Sequence, residues 1–140
     1  LRVTADHATF ALSEVKRGII PANGGTQRLP AQLPHAIAME LLLIGDAIDA
    51  QTAARWGLVN RVVPADQVMA TALELARRVA ANAPLAVQAI KELALRGPQE
   101  GLAAGLRFEQ LVQNILQRTE DAAEGRQAFA EKRSPRFTGN

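Results

Sequence analysis

The sequence predicts an α/β fold in which a few N-terminal strands precede a helix-rich C-terminal region. The first twenty residues carry β-branched and aromatic residues in partial alternation, which is typical of strands. After residue 25 most segments repeat apolar residues every three or four positions, as helices do. Of the 140 residues, 48% are hydrophobic and 21% are charged, which is a globular composition.

Turn and cap residues set the predicted limits of these elements. Strands are predicted at LRVTA, ATFALSEV and LVNRVVP, which are rich in β-branched residues. The helix in PHAIAMELLLIG is expected to stop at Gly45, and Asp49 is a candidate N-cap for the next one. The helix in PLAVQAIKELALRG is expected to stop at Gly97, and Thr119 is a candidate N-cap for the last helix.

Composition excludes several classes of function. The net charge is only +2, and the basic residues are dispersed, so no nucleic-acid interface is predicted. There is no cysteine, so disulfides and thiolate metal sites are excluded. The longest apolar stretch, AIAMELLLIG, is interrupted by Glu40 and is too short to span a bilayer. His7 and His35 have no partners at ligand spacing, so no metal site is predicted.

Glu14 is the first candidate for chemistry. If ATFALSE is a strand, Phe10, Leu12 and Glu14 point to the same face. A carboxylate at the end of an apolar face loses hydration, which favours its protonated form and suits a general acid. The alternative is that the strand ends at Ser13 and that Glu14 is a solvated carboxylate paired with a neighbouring cation.

Two further segments allow two interpretations each. The glycines of PANGG permit a plain tight turn, or a turn that aims backbone N–H groups at an anion or carbonyl. The segment FAEKR near the end is a solvated helix terminus, or it offers Phe129 and Lys132 to a phosphate-bearing ligand or a neighbouring subunit.

Together these segments resemble the enoyl-CoA hydratase/isomerase family, also called the crotonase family. ATFALSEVKRGIIPANGGTQRLP is similar to the family pattern F-x-x-P-E-x-x-x-G-x-x-P-x-x-G-G-[TS]-x-R-L. AMELLLIGDAIDAQTAARWGLVNRVVP and EDAAEGRQAFAEKRSPRFTG resemble two later family segments. The resemblance covers essentially the whole chain and identifies it as a C-terminal half of the family domain.

The resemblance implies a fold, a reaction and an assembly. Residues 1–64 would be the C-terminal part of a spiral of ββα units and hold the active-site acid, and residues 65–140 would form a helical region that oligomerises or covers the substrate. Family members bind acyl-CoA thioesters and form trimers or dimers of trimers. No metal or organic cofactor is implied, since CoA arrives with the substrate, and a cytoplasmic enzyme of fatty-acid metabolism is expected.

Site residues follow from the same resemblance. Glu14 aligns with the acid that protonates the α carbon in hydratases. Pro21 and Ala22 align with backbone that lines the acyl site, although Ala22 replaces a usual glycine and Ser13 a usual proline. Phe129 and Lys132 align with residues that reach the CoA nucleotide in some members.

The family's oxyanion donors and first catalytic Glu correspond to residues upstream of this chain. Because loss of one oxyanion donor costs about 10²–10³ in rate, little activity is expected from the 140 residues alone. The main expectation is an enoyl-CoA hydratase-type lyase. An isomerase or another acyl-CoA reaction is the alternative within the family, and a non-catalytic oligomerising fragment is the alternative outside it.

Overall fold

Four short strands pair two by two within the first 63 residues of the computed structural model, which describes residues 1–140. Strands β1 (Val3–Ala5) and β4 (Arg61–Val63) form a parallel pair with Val3 opposite Arg61. Strands β2 (Thr9–Phe10) and β3 (Ile48–Asp49) form an antiparallel pair with Phe10 opposite Ile48.

The predicted strand at ATFALSEV is wrong beyond its first residues. Only Thr9–Phe10 find a partner, because in this register a longer strand would next face Ala47, where the chain has just left the left-handed cap of α2 at Gly45. The chain then turns at Leu12, whose φ is −121° and ψ is 77°, and Ser13–Arg17 form a 3-10 turn. The side-chain alternation expected for Phe10, Leu12 and Glu14 therefore does not hold. The strand predicted in LVNRVVP is confirmed as β4.

Seven helices account for most of the remaining chain. They are α1 (Gly25–Arg28), α2 (His35–Ile44), α3 (Ala50–Arg55), α4 (Val68–Ala80), α5 (Pro84–Glu100), α6 (Leu102–Leu116) and α7 (Glu120–Glu131). None of them combines the length and the apolar character that a membrane crossing requires.

The cap predictions are confirmed where local chemistry decides them. The backbone N–H of Thr52 donates to Asp49 Oδ1 at 2.7 Å, and the backbone N–H of Ala122 donates to Thr119 Oγ1 at 3.1 Å. Gly45 ends α2 with a φ of 73°, the left-handed region that glycine adopts without steric cost.

The chain divides into two compact units, residues 1–74 and residues 75–140. The division of roles between residues 1–64 and 65–140 stays a prediction. The core of the first unit is a cluster of Leu33, Ala38 and Leu41 on and before α2. Partly buried apolar side chains pack against this cluster: Leu29, Ile37, Ile48, Trp56 and Leu58.

In the second unit α5 and α6 pack against each other as a hairpin. The predicted helix end at Gly97 is wrong, since α5 continues through Gly97 and Pro98 to Glu100. The helices approach closely here, because a Cβ on Gly105 would lie only 3.6 Å from the Gly97 Cα. Pro98 sits in the last turn, where its missing N–H removes only one helical hydrogen bond. The reversal comes at Gly101, whose φ is 82°.

Candidate functional site

Glu14 lies at the start of the 3-10 turn and is half-buried. It lines a cleft of about 530 Å³ in the first unit, a size typical of small-molecule sites. The strand ends before Glu14, as the alternative expected, but Glu14 forms no ion pair with Lys16, whose Nζ pairs with Asp46 Oδ1 at 2.5 Å. Glu14 therefore offers its carboxyl group to the cleft without a cationic partner among its sequence neighbours.

The walls of the cleft are mainly apolar, with a few polar groups. Its lining residues are Thr9, Phe10, Ala11, Leu12, Glu14, Pro21, Asn23, Gly24, Gly25, Arg28, Leu29, Gln32, Leu41 and Leu58. Glu14 is the only carboxylate and Arg28 the only cation in this set. One proton donor in an apolar cleft can protonate a carbon or oxygen of a bound substrate.

Pro21 is buried and lines the cleft, and its contact with an acyl group stays a prediction. Ala22 is exposed and stands between two lining residues, Pro21 and Asn23, without lining the cleft itself. A role for the backbone of Ala22 in substrate binding stays a prediction.

The PANGG segment is a tight turn that leads into α1. Gly24 has a φ of 93°, and a Cβ on Gly25 would lie 2.9 Å from Pro21 Cβ and 3.3 Å from Leu12 Cδ2. These glycines therefore allow the turn to pack closely against its neighbours. This agrees with the plain-turn interpretation, and the alternative that the turn aims backbone N–H groups at an anion or carbonyl stays a prediction.

Sequence reasoning missed Arg28 and Gln32 as lining residues. With Gly25 and Leu29 they follow the spacing i, i+3, i+4 and i+7, which places residues on one side of a helical segment. That spacing was the available signal. Gln32 is also held in place, because Arg2 Nη2 donates to Gln32 Oε1 at 2.5 Å.

Phe129 and Lys132 lie at the C-terminal end of α7, in the second unit. The Phe129 side chain is 87% exposed, and Lys132 is exposed with a φ of 55°. Lys132 is the only residue other than glycine with a positive φ. Their contact with a nucleotide stays a prediction.

The segment that follows Lys132 folds back along α7 and is held there by two carboxylates, those of Glu124 and Asp121. Arg133 donates to both oxygens of Glu124, at 2.6 and 2.9 Å, and the Arg136 backbone N–H donates to Glu124 Oε1 at 2.7 Å. Closer to the helix start, the backbone N–H groups of Thr138 and Gly139 donate to Asp121 at 2.7 and 2.9 Å.

The contact with Arg133, followed by the Arg136 N–H, lowers the pKa of Glu124 from 4.5 to about 2. Since this folded pKa lies below the ordinary one, the contact stabilises the folded segment above pH 4.5 and is lost as the pH falls through about 2. We expect the NMR shift of the Arg136 amide to titrate with a midpoint near pH 2. The Glu124→Gln variant should lack this transition, and a midpoint near 4.5 in the parent would contradict the contact.

Comparison with known proteins gives the chain its family. The family model described as enoyl-CoA hydratase/isomerase matches residues 1–140. A carnitinyl-CoA dehydratase from Citrobacter koseri is 45% identical over 142 residues, and one from Proteus mirabilis is 43% identical over 143 residues. Each alignment covers 98% of this chain and 54% of the relative, so the chain spans about half the length of the curated relatives it matches.

Solved structures agree in fold. The enoyl-CoA hydratase from Bacillus anthracis superposes with a TM-score of 0.93 at 41% identity, covering 99% of this chain and 54% of that one. The enoyl-CoA hydratase from Mycobacterium tuberculosis H37Rv gives a TM-score of 0.91 at 38% identity, covering 99% and 55%. The predicted α/β fold of the crotonase type is thereby confirmed. The chain belongs to the enoyl-CoA hydratase/isomerase family.

Proposed function

We propose that this chain carries the general acid of an acyl-CoA hydratase. Water would add across the α,β double bond of an enoyl thioester: its hydroxyl group goes to the β carbon, its remaining proton to the carboxylate of a second, upstream acid, and a proton from Glu14 to the α carbon. The observation that supports this role is the position of Glu14, half-buried in an apolar cleft where it is the only carboxylate.

The names of the similar proteins fit the same chemistry. A hydratase and a dehydratase catalyse opposite directions of one equilibrium, so both need a group that exchanges a proton with the α carbon. In the direction of dehydration, the ionised Glu14 would take that proton back. Acyl-CoA is therefore the proposed substrate class, with no organic cofactor beyond the CoA that the substrate carries.

The remaining contributions to the site are proposed from the family resemblance. Pro21 and the backbone of Ala22 would border the acyl group, and Phe129 and Lys132 would contact the CoA nucleotide. The oxyanion donors and a second acid would come from residues upstream of Leu1. We therefore propose that the 140 residues alone hydrate poorly, and that the enzyme acts in the cytoplasm, where a chain without cysteine is at no disadvantage.

The test uses protein expressed from the complete reading frame that contains these residues. A trans-2-enoyl-CoA should lose the absorbance of its conjugated double bond as it is hydrated. A 3-enoyl-CoA, which gains that absorbance only on isomerisation, serves as the second substrate. Hydration supports the proposal, isomerisation without hydration supports the isomerase alternative, and neither reaction contradicts the proposed activity.

A second candidate, assembly without catalysis, is favoured by the exposed apolar side chains of the α5–α6 hairpin. Ile90, Leu102 and Ile115 are 66%, 78% and 67% exposed, which is unusual for large apolar side chains. A homotrimer or a dimer of trimers would cover them. Light scattering gives the molar mass in solution, and Glu14→Gln should leave that mass unchanged whichever function holds. A monomer would contradict assembly.

A further inference from the structure

The end of α2 lies directly against the turn that carries Glu14. Gly45, the C-terminal cap of α2, is buried and has a φ of 73°. A Cβ at this position would lie 2.8 Å from Val15 Cγ1 and 3.2 Å from the backbone oxygen of Leu12. Leu12 and Val15 stand on either side of Glu14 in the sequence. A side chain at position 45 would therefore collide with the turn both before and after the acid.

A charge pair joins the same two segments one residue further on. Lys16 Nζ and Asp46 Oδ1 are 2.5 Å apart, and their side chains are half or more exposed. An exposed pair of this kind adds little to global stability. It does restrict where the C-terminal side of the turn can move relative to α2.

The C-terminal end of the turn is closed by two backbone hydrogen bonds. Its closing contacts are from the Gly18 N–H to the Val15 oxygen at 3.2 Å and from the Ile19 N–H to the Glu14 oxygen at 3.3 Å. Both lie at or just beyond the long end of the usual N–H to oxygen range, and 3-10 hydrogen-bond geometry is poorer than that of an α-helix. The orientation of Glu14 therefore depends on what the turn rests against.

We propose that Gly45 and Asp46 are positioning residues for Glu14: the glycine allows the turn to seat against the end of α2, and the aspartate tethers it there through Lys16. This inference rests on the proposed function, in which Glu14 is the general acid. Its chemical reason is that proton transfer to carbon requires the donor at hydrogen-bonding distance, and a displacement of about 1 Å can cost 10²-fold in rate.

The decisive comparison is Gly45→Ala against Gly57→Ala. Gly57 has a φ of 82°, so alanine is strained at both positions, but a Cβ at Gly57 would meet no atom within 4 Å. We expect Gly45→Ala to lower kcat on the order of 10²-fold with little change in KM, whereas Gly57→Ala keeps a kcat close to that of the parent. Equal losses in the two variants would overturn the proposal.

A compensating substitution distinguishes a steric clash between residue 45 and the turn from a general loss of structure. Val15→Ala removes the Cγ1 atom that a new Cβ at Gly45 would meet. The double variant Gly45→Ala with Val15→Ala should therefore regain much of the kcat that Gly45→Ala loses. If the double variant is worse than Gly45→Ala, steric seating of the turn is wrong.

The tether is tested in the same assay. Asp46→Asn should lower kcat and change KM little. The control is Glu92→Gln, which removes the exposed pair between Glu92 and Arg96 and should change neither constant. Unchanged kinetics in Asp46→Asn would remove the aspartate from the proposal and leave Gly45 alone.

Amide hydrogen exchange distinguishes this inference from the proposed function. Protection of residues 13–19 should fall in Gly45→Ala and remain in Gly57→Ala, whether or not the protein hydrates an enoyl-CoA. If Gly45→Ala loses this protection and the parent does not hydrate an enoyl-CoA, the positioning role of Gly45 stands and the proposed function is wrong. If Gly45→Ala keeps both the protection and the parent's rate of hydration, the positioning role is wrong and the proposed function stands.

Discussion

Replacing Glu14 with Gln is expected to lower kcat for enoyl-CoA hydration by about 10²–10⁴-fold, the usual contribution of a positioned acid or base. Glutamine keeps the shape of the side chain but cannot deliver a carboxylic acid proton. Since the ground-state contacts of the acyl group with the cleft stay in place, KM should change little. Steady-state kinetics on protein from the complete reading frame measures both constants.

Glu40→Gln is the matched control for this experiment. Glu40 lies on α2 in the same unit, is exposed and does not line the cleft. It should keep the parent rate. A full rate in Glu14→Gln would remove Glu14 from the mechanism, and an equal loss in both variants would show that the effect is on folding.

The second large effect is expected on stability, from Asp121→Ala. The Asp121 carboxylate is 3% exposed and accepts hydrogen bonds from the backbone N–H groups of Thr138 and Gly139. Alanine removes the acceptor and leaves these donors without a protein partner. We expect the free energy of unfolding to fall by about 1.5–3 kcal/mol, the range for hydrogen bonds to a charged group.

Urea unfolding, followed by a probe in the second unit, measures this loss. Glu120→Ala is the control, because Glu120 shares the first turn of α7 but is exposed. Its effect should be much smaller, limited to the interaction with the helix dipole. Asp121→Asn keeps one acceptor oxygen and should fall between the two. Equal stabilities of Asp121→Ala and the parent would show that the C-terminal segment is not held by this carboxylate.

Local rules predicted the ends of several helices from the sequence. Asp49 and Thr119 cap the helices that follow them, and Gly45 ends α2, because a cap depends on a few neighbouring residues. The continuation of α5 past Gly97 could not be predicted in this way. Gly97 lies close to Gly105 of the next helix, a contact between elements that periodicity does not report.

The site shows the same division between local and long-range causes. Glu14 and Pro21 were found from a motif, and both line the cleft. The strand that was expected to aim Glu14 is instead a 3-10 turn, because its pairing partner beyond Phe10 would be the cap region that follows α2, which is distant in sequence. The helical spacing that includes Arg28 can be read from the sequence. The sequence does not show which part of the molecule that side of the segment faces.

The pairing of β1 with β4 has a consequence for the order of folding. Arg2 and Asn60, which are joined by hydrogen bonds in both directions beside this ladder, are 58 positions apart. Closing so long a loop costs conformational entropy before any contact between β1 and β4 can form, whereas α2 and α3 form from local contacts. During synthesis on the ribosome, β1 therefore cannot pair with β4 until β4 has emerged from the exit tunnel.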